Sequence, residues 1–230
     1  MTKNSKMHSK LILAQAIIIF IVPFICKDIT WFHHSDLPQA IYIQSVSGFM
    51  ILVWLFDCFF SKKFEIKKSP LYFPVIGVIL WSSGSLVWSS NVTESMEVLR
   101  QWLAAAIIWF VIYNMFQTAK EISILMHTLL ASMFLLVVIG LTQFFDNSFT
   151  LYFQVVTPAG SFGNKNMFCD YLIIVMPICF YLFMNSPDKT KLLNQIFAGI
   201  IFVSTALLIF FSTTKAEMLG IVILVFLFFY

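Results

Sequence analysis

Long apolar blocks separated by short charged clusters run through the chain from one end to the other. Each block is close to the roughly 20 apolar residues that carry a helix across the hydrocarbon core of a bilayer. The pattern predicts eight helical crossings, at residues 11–26, 39–60, 71–88, 101–116, 122–145, 167–184, 195–211 and 216–230. The third is interrupted by Ser82, Ser83, Gly84 and Ser85, small residues that permit close helix contact or a local break. The last begins near Ala216 and stops at Tyr230, a short run that reads as a crossing cut off by the end of the sequence. The expected fold is an all-α polytopic transmembrane helical bundle, a single membrane domain over residues 1–230.

Composition strengthens this reading. Hydrophobic residues make up 60% of the chain and charged residues 11%, against about 25% charged in ordinary soluble domains. So little polar surface cannot cover a water-soluble core. The first block follows Lys3, Lys6 and Lys10 as a signal peptide would, but Pro23-Phe24-Ile25-Cys26 lacks the small residues of a cleavage site, so it is read as an anchor.

The basic residues set the orientation. Ten lysines (3, 6, 10, 62, 63, 67, 68, 120, 189 and 191) fall on one set of connections. Lys27, Arg100, Lys165 and Lys215 fall on the other. By the positive-inside rule the first set, and with it the N-terminus, is cytoplasmic. Trp31, Phe32, Trp88 and Trp102 then mark the outer interface. The cytoplasmic connections read as topology signals. The outer ones (residues 27–38, 89–100 and 146–166) are longer and more varied, and function tends to reside on such connections.

Chemistry is sparse. Cys58, Cys169 and Cys179 fall within apolar runs and Cys26 at the end of one, without metal-ligand spacing, and read as packing residues. His33, His34 and His127 have no partner at metal or catalytic spacing, so no metal and no cofactor is expected. No basic run interleaved with aromatics supports nucleic-acid binding. Asp57, near Lys62 and Lys63, reads as a snorkelling carboxylate. Asn91-Val92-Thr93 matches a glycosylation acceptor pattern that recurs by chance.

Two outer segments stand apart. In the first, Gly160, Gly163, Asn164, Lys165 and Asn166 converge where the sixth helix begins. A helix N-terminus offers unpaired N–H groups and partial positive charge, which suit a phosphate. Asn166 is placed to cap the helix, and Lys165 adds a full charge or meets lipid head groups. In the second, Thr214 and Glu217 have capping-box spacing, which puts Lys215 at another outer helix start. A cation there calls for a bound anion or for Glu217 as its balance. Arg100, the single arginine, can bind phosphate through two parallel bonds or pair with Glu94 or Glu97. Asp170 suits the helix dipole, or helps to hold Lys165 or Lys215.

The run Gly160-Ser161-Phe162-Gly163-Asn164-Lys165-Asn166, followed by Tyr171-Leu172 and Met176-Pro177, resembles the signature of the O-antigen ligase and polymerase superfamily. Ser212-Thr213-Thr214-Lys215-Ala216-Glu217 looks like that family's second motif at a similar distance. The likeness covers about the last 70 residues and upstream extends to hydropathy alone. It implies a bacterial inner-membrane enzyme, metal-independent and inverting, that takes a glycan from undecaprenyl diphosphate. The acceptor would be lipid A-core in a ligase, another repeat unit in a polymerase, or a protein in an O-oligosaccharyltransferase. Basic residues would hold the diphosphate, leaving Asn164, Lys165, Asn166, Lys215 and Arg100 as the binding set and Gly160, Gly163, Pro177, Thr214 and Glu217 as motif structure.

The motifs depart from the family pattern. Lys165 stands where a proline is usual, and Lys215 where an arginine is usual. The family's large periplasmic loop, with its assisting histidine, would lie beyond Tyr230. No catalytic residue is therefore expected within the chain, and no transfer by the chain alone. Two other classes stay open. A transporter would need paired interrupted helices, and one is visible. A non-catalytic membrane assembly subunit fits the short length.

Overall fold

A computed structural model describes residues 3–24, 36–62, 64–145, 158–162, 164–185 and 191–229. Eight α-helices follow one another, and the described residues contain no strand. They are α1 (Lys3–Ile21), α2 (Asp36–Ser61), α3 (Tyr72–Ser85), α4 (Val92–Met115), α5 (Ala119–Phe145), α6 (Lys165–Asn185), α7 (Lys191–Ser212) and α8 (Lys215–Phe229). Each overlaps one predicted span. Pro38 and Pro74 fall in the first turns of α2 and α3, where a missing N–H costs nothing.

Six of the helices are long and apolar enough to cross a membrane: α1, α2, α4, α5, α6 and α7. The other two fall below that length. The stretch Tyr72–Trp88 is an apolar helix below that length, and α8 has 15 residues. The α-helix runs through Ser82, Ser83, Gly84 and Ser85 without interruption. The Ser83 and Ser85 hydroxyls bond back to Ile79 O and Ser82 O, and the α-helix gives way to a 3-10 turn over Leu86–Trp88. Large apolar side chains lie open on the helix surfaces: Phe73 is 83% exposed and Trp81 73%. Water would penalise such a surface and a bilayer does not, so the helices are those of a multi-pass membrane protein.

The chain forms two compact units, Met1–Ile18 with Asp36–Leu125, and Ile19–Ser35 with Met126–Tyr230. In unit 1, α2 packs along α4 and α3 lies against α4. Trp54 meets Phe64 and Phe110, and Tyr72 meets Trp109 and Tyr113. The lysine-rich connection after α2 does more than signal topology. Lys67 N bonds Asn114 Oδ1 at 2.9 Å, Tyr113 Oη bonds Lys68 O at 3.1 Å, and Lys67 Nζ bonds Gln117 Oε1. These bonds tie the connection to the end of α4.

Unit 2 has one continuous apolar core. Leu136, Phe168, Leu172, Met176, Cys179, Ile201 and Leu208 are all buried in it, and α6 packs against both α7 and α8. Cys169 and Cys179 thus face helix neighbours. Pro177 sits inside α6, where it removes one ladder donor. Trp31, Phe32, Cys26, Lys27, His33, His34, Lys63, Gly163, Lys189 and residues 146–157 lie outside the described residues.

Candidate functional site

The glycine-containing turn before α6 is held from below by one side chain. Gln143, fully buried near the end of α5, accepts hydrogen bonds from Ala159 N at 3.1 Å and Gly160 N at 2.8 Å, and donates to Gly160 O at 2.8 Å. Buried backbone groups must be paired, and a primary amide can serve both an acceptor and two donors at once. Ser161 adds a bond from its hydroxyl to Pro23 O. Gly160 has φ +58°, and a Cβ there would lie 2.5 Å from the Phe168 ring; a Cβ on Gly140 of α5 would lie 2.7 Å from the same ring. Both positions need glycine so that Phe168 can be seated between the turn and α5.

α6 then begins at Lys165, and its cap differs from the expected one. Asn164 occupies the N-cap and its Oδ1 accepts from Asn166 N at 2.9 Å. Asn166 is an exposed first-turn residue. The sequence reading placed the cap two residues late because three polar residues follow one another there and each has cap propensity or charge.

The second motif meets the first at this end of unit 2. Lys165 Nζ donates to Ser212 O, the last carbonyl of α7, at 3.2 Å, a favourable place for a cation because α7 ends with its negative dipole pole there. Cys169 Sγ lies 3.1 Å from Ser212 Oγ, which lies 3.0 Å from Thr214 Oγ1. Thr214 and Glu217 are buried, and the carboxyl groups of Glu217 in α8 and Asp170 in α6 are neighbours. Asp170 thus faces Glu217, and neither carboxylate forms an ion pair with a lysine among the described residues. Lys215 is exposed at the first position of α8, with no ion pair among the described residues.

The link between α7 and α8 is strained. Thr213 has φ 57°, the left-handed region that a β-branched residue rarely enters, and its hydroxyl bonds Ser212 O at 2.7 Å. Ser212 O thus receives both the Lys165 ammonium and the Thr213 hydroxyl.

Arg100 belongs to unit 1. Its guanidinium lies 3.9 Å from Glu97 on the same exposed face of α4, and its Nε bonds Met96 O. Asn91 caps α4, accepting from Glu94 N. Among the described residues no group of three histidine, cysteine or carboxylate side chains is placed to hold a metal. No protein-family model matches this chain, and searches of curated proteins and of solved structures return no match.

Two other polar clusters have no local signature in the sequence. Gln143 looks like any polar residue near a helix end, and its partners lie 16 and 17 positions away. His8 meets Asp57 and Glu121 over still longer separations. An isolated histidine at the start of a hydrophobic run carries no local signal of either contact.

Proposed function

We propose that this chain is the donor-handling part of an O-antigen ligase-like glycan transferase, which holds an undecaprenyl-diphosphate-linked glycan at the outer face of a bacterial cytoplasmic membrane. The acceptor is lipid A-core, a further glycan repeat or a protein, as in the ligase, polymerase and protein-transferase branches of the resembled superfamily. In this reading all eight helices cross the bilayer and the N-terminus is cytoplasmic.

The observation that supports it most is the meeting of the two motifs. They lie about 50 residues apart in sequence, yet Lys165 bonds Ser212 O and Asp170 neighbours Glu217. The starts of α6 and α8 are thereby gathered at one end, and two sets of helix N–H groups with them. Lys215, Asn164 and Asn166 are exposed there. A diphosphate would be held by the Lys215 ammonium, the two amides and the helix-start N–H groups, with charge-assisted bonds contributing most. Lys165 serves as the anchor that fixes α6 on α7. Stabilising the diphosphate as it leaves is the catalytic work such a site performs.

Binding of a short-chain polyprenyl diphosphate to the purified chain in nanodiscs tests this reading. Lys215→Ala and Asn164→Ala are each expected to weaken it about tenfold, the worth of one charge-assisted bond. The monophosphate should bind more weakly than the diphosphate. Equal affinity of both variants and the native chain for the diphosphate would refute the site.

A further inference from the structure

At the other unit's cytoplasm-assigned end, a single ring joins three helices. His8 lies in α1. Its Nδ1 is 2.9 Å from Asp57 Oδ2 on α2, and its Nε2 is 3.1 Å from Glu121 Oε1 in the first turn of α5. All three side chains are largely shielded, at 33%, 17% and 15% exposure. Among the described residues, Asp57 and Glu121 are the charged groups that face the ring, one from each helix packed on it.

Glu121 is held in place independently. Its Oε2 accepts from Gln117 N at 2.9 Å and Thr118 N at 2.8 Å, while Thr118 Oγ1 accepts from Glu121 N at 3.3 Å. This reciprocal capping box fixes the carboxylate and leaves Oε1 facing His8. The geometry excludes a shared metal ion, because the two carboxylates approach opposite nitrogens of the ring.

A neutral imidazole carries one N–H and one bare lone pair. A ring with a carboxylate at each nitrogen satisfies both only when it is doubly protonated. Losing the second proton removes one of the two bonds and turns a lone pair towards a carboxylate oxygen. We propose that His8, Asp57 and Glu121 form a pH-gated latch, which fastens the start of α1 to α2 and α5 when His8 is charged and releases it when the ring becomes neutral. The sign follows from the bonding: the latch holds on the acid side, where both carboxylates are still ionised, and weakens as the pH rises.

The test uses the full chain in detergent micelles. Thermal unfolding is followed between about pH 6 and about pH 9, a range that spans histidine titration, for the native protein and for His8→Gln, whose amide keeps a donor but does not titrate. The native Tm is expected to fall by about 5 °C more than that of His8→Gln across this range, and Asp57→Asn to show about half that excess, one of the two bonds being already neutralised. Nitrogen NMR of histidine-labelled protein gives a reading free of mutational damage. At the acid end, the signal that His8→Gln removes should show two protonated nitrogens. Superimposable pH profiles for native and His8→Gln chains, or one bare nitrogen on His8 at the acid end, would overturn the latch.

Discussion

Gln143 of unit 2 and Gln15 of unit 1 are both fully buried amides inside apolar helices. Gln143 spends every polar atom on the turn before α6, with three backbone bonds of 2.8 to 3.1 Å. Gln15 directs its Nε2 to Met115 Sδ at 3.0 Å and to Met50 O at 3.4 Å, and its Oε1 has no partner among the described residues. Met50 O belongs to the interior of α2, so Gln15 supports no backbone that would otherwise be orphaned. The same side chain is thus a structural clamp in one unit and a poorly satisfied guest in the other. The cores differ in the same way. Unit 2 is packed around Phe168 so tightly that two glycines are required beside it. Unit 1 relies on aromatic contacts and on polar stitching of its loops, and α3 buries no residue at all.

Glycine substitutions should expose this contrast most strongly. Gly160→Ala introduces a Cβ 2.5 Å from a ring with nowhere to go, at a φ of +58°. We expect a loss of about 3 kcal/mol, read as a fall of 6 °C or more in Tm, about 2–4 °C per kcal/mol for a chain of this size. Gly48→Ala in α2 meets nothing within 4 Å, and the better helix former should add about 0.5 kcal/mol. Equal effects at the two sites would show that unit 2 relaxes around its turn, and the tightness of its core would lose its meaning.

The glutamines themselves give the next contrast. Gln143→Leu strands two backbone donors and one acceptor in an apolar surround, a loss of about 3 kcal/mol. Gln15→Leu removes a buried oxygen without a partner and keeps the volume, so the chain should be unchanged or gain about 1 kcal/mol. Thermal unfolding of both variants in micelles decides it. A large loss from Gln15→Leu would mean that the amide has a partner beyond the protein atoms.

The helices were legible because long apolar blocks leave few alternatives once Lys, Pro and Ser interrupt them. Each of the eight predicted stretches overlaps a helix, while the interruption expected at Ser82–Ser85 is absent, the α-helix continuing to Ser85. Helix length was less legible, since hydropathy does not say where a turn tightens, and α3 gives way to a 3-10 turn after Ser85. The candidate site was readable as two motifs, each from its own local composition. Their meeting was not, because Lys165 and Ser212 are 47 positions apart. Asp170 and Glu217 illustrate the limit: each had an obvious lysine nearby in sequence, and packing of α6 on α8 set them beside each other. The His8 cluster and the Gln143 clamp depend wholly on such long-range packing.

The smallest effect should come from the strained links. Thr213, between α7 and α8, and Lys62, at the end of α2, both adopt left-handed backbone, with φ of 57° and 54°. Each sits just past a helix, where glycine is the usual residue. Threonine is branched at Cβ and lysine is not, so the strain is greater at Thr213. Thr213→Gly is expected to raise stability by about 1 kcal/mol and Lys62→Gly by about half as much, seen as upward shifts in Tm. If Thr213→Gly stabilises the chain and leaves polyprenyl diphosphate binding intact, the strained turn is incidental to the site. If it stabilises the chain and weakens binding, then the left-handed threonine is what aims Lys215, two residues on, and the strain serves the ligand. A destabilised Thr213→Gly chain would mean that the hydroxyl bond to Ser212 O outweighs the backbone strain, and unit 2 would then be as dependent on polar stitching as unit 1.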